Sequence, residues 1–240
     1  MNTCPWDGWE TASVSFCEAR LCASVVEPSN AWSSMAYVAL GAWLMTRPEA
    51  RRSWLLGGVA IANVMIGLGS FAFHATGTFA GELVDLFGMF LLSGLLLAFA
   101  LGRVRGWTDR QIGLAWVGLV VAPMAIVLVV KPAGIPLFAL ELVSGIVLEL
   151  RAKVRGHSPQ FRYFAQALGL VTTAFAIWVT DKTGLVCDPD NHAITGHAVW
   201  HVLNAIAVTR LFEFYGAAAQ GLPLTPALSP LRRERVGSVT

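Results

Sequence analysis

Charge is what this chain has least of. Only 13% of its 240 residues are Asp, Glu, Lys or Arg, against roughly 25% in an ordinary soluble domain. Hydrophobic residues make up 55% and the mean hydropathy is +0.61. A soluble domain of this size could not cover its surface with so few charges, so the composition points to an integral membrane protein. A basic run interleaved with aromatics is missing and the net charge is only +2, which argues against nucleic acid as a partner. There is no internal repeat of fixed period. The pattern of a cleavable signal peptide is absent too. Residues 1–30 hold two Trp, three Cys and four acidic residues, and read as a short ordered outer segment rather than a basic n-region followed by an apolar h-region.

What is present is a series of apolar stretches near 31–46, 54–74, 83–101, 112–130, 133–150, 161–180 and 193–215. Several have the ~20 residues a helix needs to cross the hydrocarbon core, and the first and fifth are short. Seven spans is the natural count, although the fourth and fifth are parted only by Lys131, Pro132 and Gly134, and one broken helix there would leave six. Charge decides. With seven helices, Arg47, Arg51 and Arg52, then Arg103, Arg105 and Arg110, then Arg151, Lys153 and Arg155, fall in connections on one side, together with Arg232, Arg233 and Arg235 in the tail. The other side keeps Arg20, Lys131 and Lys182 beside Asp7, Glu10, Glu18, Glu27, Asp188 and Asp190. The positive-inside rule then gives an all-α membrane protein, a seven-transmembrane-helix bundle with its N-terminus outside and its C-terminus cytoplasmic. Residues 1–30 form the outer segment, 31–216 the helical domain, and the Pro-rich, basic 217–240 a disordered cytoplasmic tail.

This topology gathers the rare polar side chains. Ser70 and His74 lie one turn apart near the outer end of the second helix. Glu82 and Asp85 occupy the first turns of the third. His197 and His201, four apart in "GHAVWHVLNA", leave one face of the seventh. All six reach the same depth. Three His with a carboxylate and a hydroxyl suit a catalytic zinc site, in which neutral imidazoles hold the ion and a fourth position takes water, whose pKa falls toward ~7. An acid can shuttle the proton of that water, and a hydroxyl can donate to an oxyanion. Plainer readings stand beside this one. An intramembrane His can be an interhelical hydrogen-bond partner worth ~0.6 kcal/mol, Asp85 can complement a helix dipole, Ser70 can be a packing residue, and Glu82 suits the interface. Their conjunction at one depth favours function, because ionisable groups inside a membrane are costly.

"SFAFHAT", then Asp85 eleven residues after His74, then "HAVWH" together resemble the alkaline ceramidases of the seven-helix hydrolase superfamily that also holds the adiponectin-receptor type proteins. "FCE" at 16–18, "EPSNAWSS" at 27–34 and "IWVTDKTGLVC" at 177–187 resemble that family's flanking segments. The resemblance covers 16–215 in order. It implies that His74, His197 and His201 bind one Zn2+, that Asp85 handles the water and its proton, that Ser70 stabilises the oxyanion, and that Cys17 pairs with Cys187; Cys4 and Cys22 form a second bridge or none. One departure concerns calcium. Where the family carries a run resembling Asp-Trp-Cys-Glu-x-Asn and a later Glu, this chain has Ser15, Phe16, Cys17, Glu18, Ala19 and Arg20, with Glu27 as the later acid. Two oxygen ligands are gone, and Arg20 adds a cation able to pair with Glu18 or Glu27, so calcium is not expected.

The leading expectation is a zinc-dependent intramembrane amidase that cuts the N-acyl bond of ceramide or a related membrane lipid. A lipid ester hydrolase needs the same zinc, acid and hydroxyl. A seven-helix receptor or sensor with structural zinc is the reading from a different class, and needs neither Ser70 nor Asp85. A transporter would show matched broken helices in two halves, which this chain does not.

Overall fold

A computed structural model describes residues 4–154 and 161–221. Among the described residues nine α-helices follow in order: α1 (Pro28–Ser33), α2 (Met35–Thr46), α3 (Pro48–Arg52), α4 (Trp54–Thr76), α5 (Phe79–Arg105), α6 (Asp109–Val129), α7 (Gly134–Val154), α8 (Phe161–Lys182) and α9 (Gly196–Gly221). There is no β-sheet among the described residues, only an isolated pairing of Thr11 with Thr78. By length and composition, the five helices α4 to α8 can each cross a membrane.

The first expected span is divided. Ser33 and Ser34 turn their hydroxyls back onto the Asn30 carbonyl, each at 2.9 Å, a local competition that interrupts helices, and α1 gives way to α2 there. The fourth and fifth stretches are separate helices, parted by a 3-10 turn at Lys131–Ala133, and both pack on α5. The last helix runs to Gly221, past the boundary expected at 216. The stretch 222–240, including Arg232, Arg233 and Arg235, lies outside the described residues, as does Arg155.

The α4–α5 hairpin sets the depth of the site. Gly77 ends α4 at φ 63°, a left-handed conformation that costs glycine little, and Thr78 at once caps α5 by accepting from the Gly81 amide at 3.1 Å. So tight a turn places the end of α4 level with the start of α5. Along the pair, Gly69 faces the backbone of Val84 and Asp85 so closely that a Cβ there would come within 2.6 Å of the Val84 carbonyl. Close approach through small residues is how apolar helices pack without a hydrophobic drive between them.

Leu44, Leu56, Val59, Leu95, Val208, Phe214 and Tyr215 fill the core among α2, α4, α5 and α9, while Leu86, Phe90, Val120 and Val127 join α5 to α6. On α6 and α7, Leu114, Val117, Val121, Leu128, Leu140 and Val143 point outward, an arrangement suited to lipid and not to water. Beyond the far end of the core, Glu149 of α7 accepts from Arg103 of α5 at 2.5 Å and from Tyr215 of α9 at 3.0 Å, so its buried charge is paired.

The N-terminal segment folds across the opposite end. Ala12 N donates to Gly77 O, Phe79 N to Glu10 O, Val26 N to Ala75 O and Ala19 N to Pro189 O. Disulfides Cys4–Cys22 and Cys17–Cys187 fix it, the first resolving a pairing the sequence left open. Residues 4–27, the 77–78 turn and the α8–α9 loop therefore share one end of the bundle.

Candidate metal centre

His74 of α4 and His197 and His201 of α9 converge in the interior, each offering a ring nitrogen within 4.8 Å of the others. The start of α9 is held firmly. Thr195 caps it by accepting from the Ala198 amide at 3.0 Å, and its own amide and hydroxyl donate to Ser29 Oγ and Asn30 Oδ1. Glu18 caps α1 in turn, accepting from the Ser29 and Asn30 amides at 2.9 Å each. The histidine-bearing helix is thereby keyed to the N-terminal segment.

The rings are oriented by partners behind them. Glu27 Oε2 lies 2.6 Å from His74 Nδ1, while its other oxygen takes Arg20 Nε at 3.3 Å. His201 Nδ1 lies 2.9 Å from Ser33 Oγ and 3.3 Å from Ser34 Oγ. With Nδ1 carrying the proton in each case, Nε2 of His74 and of His201 presents a lone pair inward.

This donor set fits a metal ion. Nε2 of His74 and Nε2 of His197 face each other at 3.2 Å; two ligands on a tetrahedral zinc, each at ~2.0–2.1 Å, would stand ~3.3 Å apart. Three imidazoles are also a recurrent zinc donor set that leaves a fourth position open.

Ser70 Oγ is 3.3 Å from His201 Nε2 and 3.0 Å from Ser34 Oγ. Asp85, Ser70, His197 and His201 all line one cavity of about 410 Å³, whose remaining walls are mostly apolar: Ile66, Leu92, Leu96, Phe138 and Ile146 among others. Glu82 also reaches it, yet its carboxylate is occupied by the Ser13 amide and hydroxyl, which makes it an anchor for the N-terminal segment.

Of the residues the sequence singles out, His74, His197 and His201 meet and Ser70 and Asp85 line the cavity beside them; the groups that brace the histidines are not legible there. Glu27 figured there as an outer acid; in the structure it is buried and bonded to His74. Of the two acids that the sequence offers to Arg20, Glu18 and Glu27, it pairs with Glu27. Ser33, Ser34 and Phe16 carried no signal beyond the resemblance of their segments.

Fold and site together define an all-helical protein of long apolar helices with a buried histidine centre opening on an apolar cavity. The family model described as Ceramidase matches residues 8–219, and the chain belongs to that family. Comparison with curated proteins gives no match. Membership makes the chain a hydrolase of amide bonds with a lipid substrate.

Proposed function

We propose that the protein is a zinc-dependent intramembrane amidase that hydrolyses the N-acyl bond of ceramide or a related N-acyl lipid. The observation that carries this reading is the meeting of His74, His197 and His201 beside a cavity that Ser70 and Asp85 also line and whose walls suit an acyl chain. A zinc ion held by the three histidines would supply Lewis acidity and a water made nucleophilic at neutral pH. Asp85 takes the proton of the attacking water and returns it to the leaving nitrogen as the C–N bond breaks, giving a fatty acid and an amine. The Ser70 hydroxyl donates to the carbonyl oxygen as that oxygen gains negative charge. Ser70→Ala then keeps the metal and loses ~10²–10³ in rate.

In this reading the chain spans the membrane seven times, with α1 and α2 together as the first span and α9 as the last. The end that carries both disulfides faces outside, where disulfides persist. Arg47, Arg51, Arg52, Arg103, Arg105 and Lys153 then face the cytoplasm. Mass spectrometry of a mixed N-acyl and O-acyl lipid panel after incubation with pure protein tests the activity. Loss of N-acyl lipids with release of free amine supports the amidase; exclusive loss of O-acyl lipids replaces it with an esterase.

A further inference from the structure

Two of the three imidazoles have a hydrogen-bond partner at Nδ1, and the third does not. Glu27 braces His74, and Ser33 braces His201. His197 Nδ1 is buried and has no partner among the described residues. Ligating histidines almost always give that N–H to an acceptor, which fixes the ring plane, and removing such a partner costs about 10- to 100-fold in metal affinity. Something else must fix His197.

The group against it is Phe16. The two rings stack with centroids 3.8 Å apart and planes at 23°, so turning the imidazole about its Cβ–Cγ bond would drive its edge into the phenyl face. Phe16 is held on several sides. Its neighbour Cys17 is bonded to Cys187, and the Ser15 carbonyl receives the Lys182 ammonium. The Phe73 ring meets Phe16 edge-on at 5.9 Å. A ring fixed in this way is a rigid wall.

We infer that Phe16 is the positioning residue of His197: its face holds the imidazole in the ligating orientation in place of the missing hydrogen-bond acceptor. This rests on the metal-site reading. It also gives the Cys17–Cys187 bridge a role at the site, since the bridge fixes the backbone beside the stacking ring. Phe16 lines the substrate cavity as well, so altered turnover alone would not separate the two roles, and metal affinity is the informative readout.

The experiment is zinc affinity by chelator competition on full-length wild type, Phe16→Leu, Phe16→Ala and Phe16→Tyr, beside the visible absorption of the cobalt-loaded forms. Phe16→Leu and Phe16→Ala should lose about 10- to 100-fold in affinity and show altered cobalt bands, while Phe16→Tyr, which keeps the ring, stays near wild type in both. Phe16→Leu serves where Phe16→Ala fails to fold, because it fills the space without the flat face. Wild-type affinity and an unchanged cobalt spectrum in Phe16→Leu would overturn the inference, as would a loss in Phe16→Tyr equal to that in Phe16→Leu. A wild type that takes up no metal would instead overturn the metal-site reading beneath it.

Discussion

Replacing Glu27 by Gln tests how the centre is built with almost no change in volume. The carboxylate sets one oxygen 2.6 Å from His74 Nδ1 and the other 3.3 Å from Arg20 Nε, and the side chain is 2% exposed. A carboxylate accepts at both ends; an amide accepts at one and donates at the other. In Glu27→Gln, either the amide oxygen stays on His74 and the NH2 faces the Arg20 donor, or the amide turns and faces the His74 N–H with a donor. The first arrangement loses the Arg20 contact, the second loses those of His74 and of the Asn30 amide on the same oxygen, and either way the charge assistance goes. Hydrogen bonds to charged groups contribute about 1.5–3 kcal/mol, which is about 10- to 100-fold in zinc affinity, the range expected for a partner behind a metal ligand. Arg20→Ala is the control. Its side chain is 33% exposed, so its loss should cost at most ~1 kcal/mol. Chelator competition on purified protein measures both. Zinc affinity in Glu27→Gln within twofold of wild type would refute the reasoning, as would an equal loss in Arg20→Ala.

Removing the Cys17–Cys187 bridge with paired Ser substitutions should lower stability by roughly 2–5 kcal/mol, and by more than removing Cys4–Cys22, because it closes a separation of 170 residues against 18; thermal melts of the two variants in one detergent compare them. Millimolar calcium, with trace metal controlled, should leave the melting temperature unchanged, because the oxygens of Glu18 and Glu27 are occupied by Ser29, Asn30, His74 and Arg20; a clear rise would show that they still build a calcium site. Since all four cysteines are paired, a cysteine introduced at Asp190 should react with an impermeant thiol reagent in intact cells and one at Glu49 should not; the reverse pattern would invert the proposed topology.

Much of the frame is legible in the sequence because the physics behind it is periodic or additive. Apolar runs give the long helices. The i, i+4 spacing of His197 and His201, with Ser70 and His74 one turn apart on α4, brings the polar groups to one depth once the helices are laid antiparallel. The braces behind the histidines depend on how residues 4–34 fold over the end of the bundle. That segment has no helical period to read, and its course is set by two disulfides and by single contacts such as Ser13 with Glu82. Glu27 meets His74 across 47 residues and Ser33 meets His201 across 168, pairings that no local rule specifies. Phe16 on His197 is the extreme case, an aromatic in an irregular stretch whose partner lies in the last helix.

The most direct test of the proposed chemistry is zinc content and single-turnover N-acyl lipid cleavage measured on the same preparations of wild type, His74→Ala, His201→Ala and Asp85→Asn. Wild type should carry one zinc and cleave. Both histidine variants should lose metal and activity together, since two remaining ligands hold the ion poorly. Asp85→Asn should keep the zinc and lose turnover, because an amide can hydrogen-bond water but cannot accept its proton. Wild type with one zinc yet inert on every N-acyl lipid tested, or Asp85→Asn cleaving at the wild-type rate, would contradict the assignment.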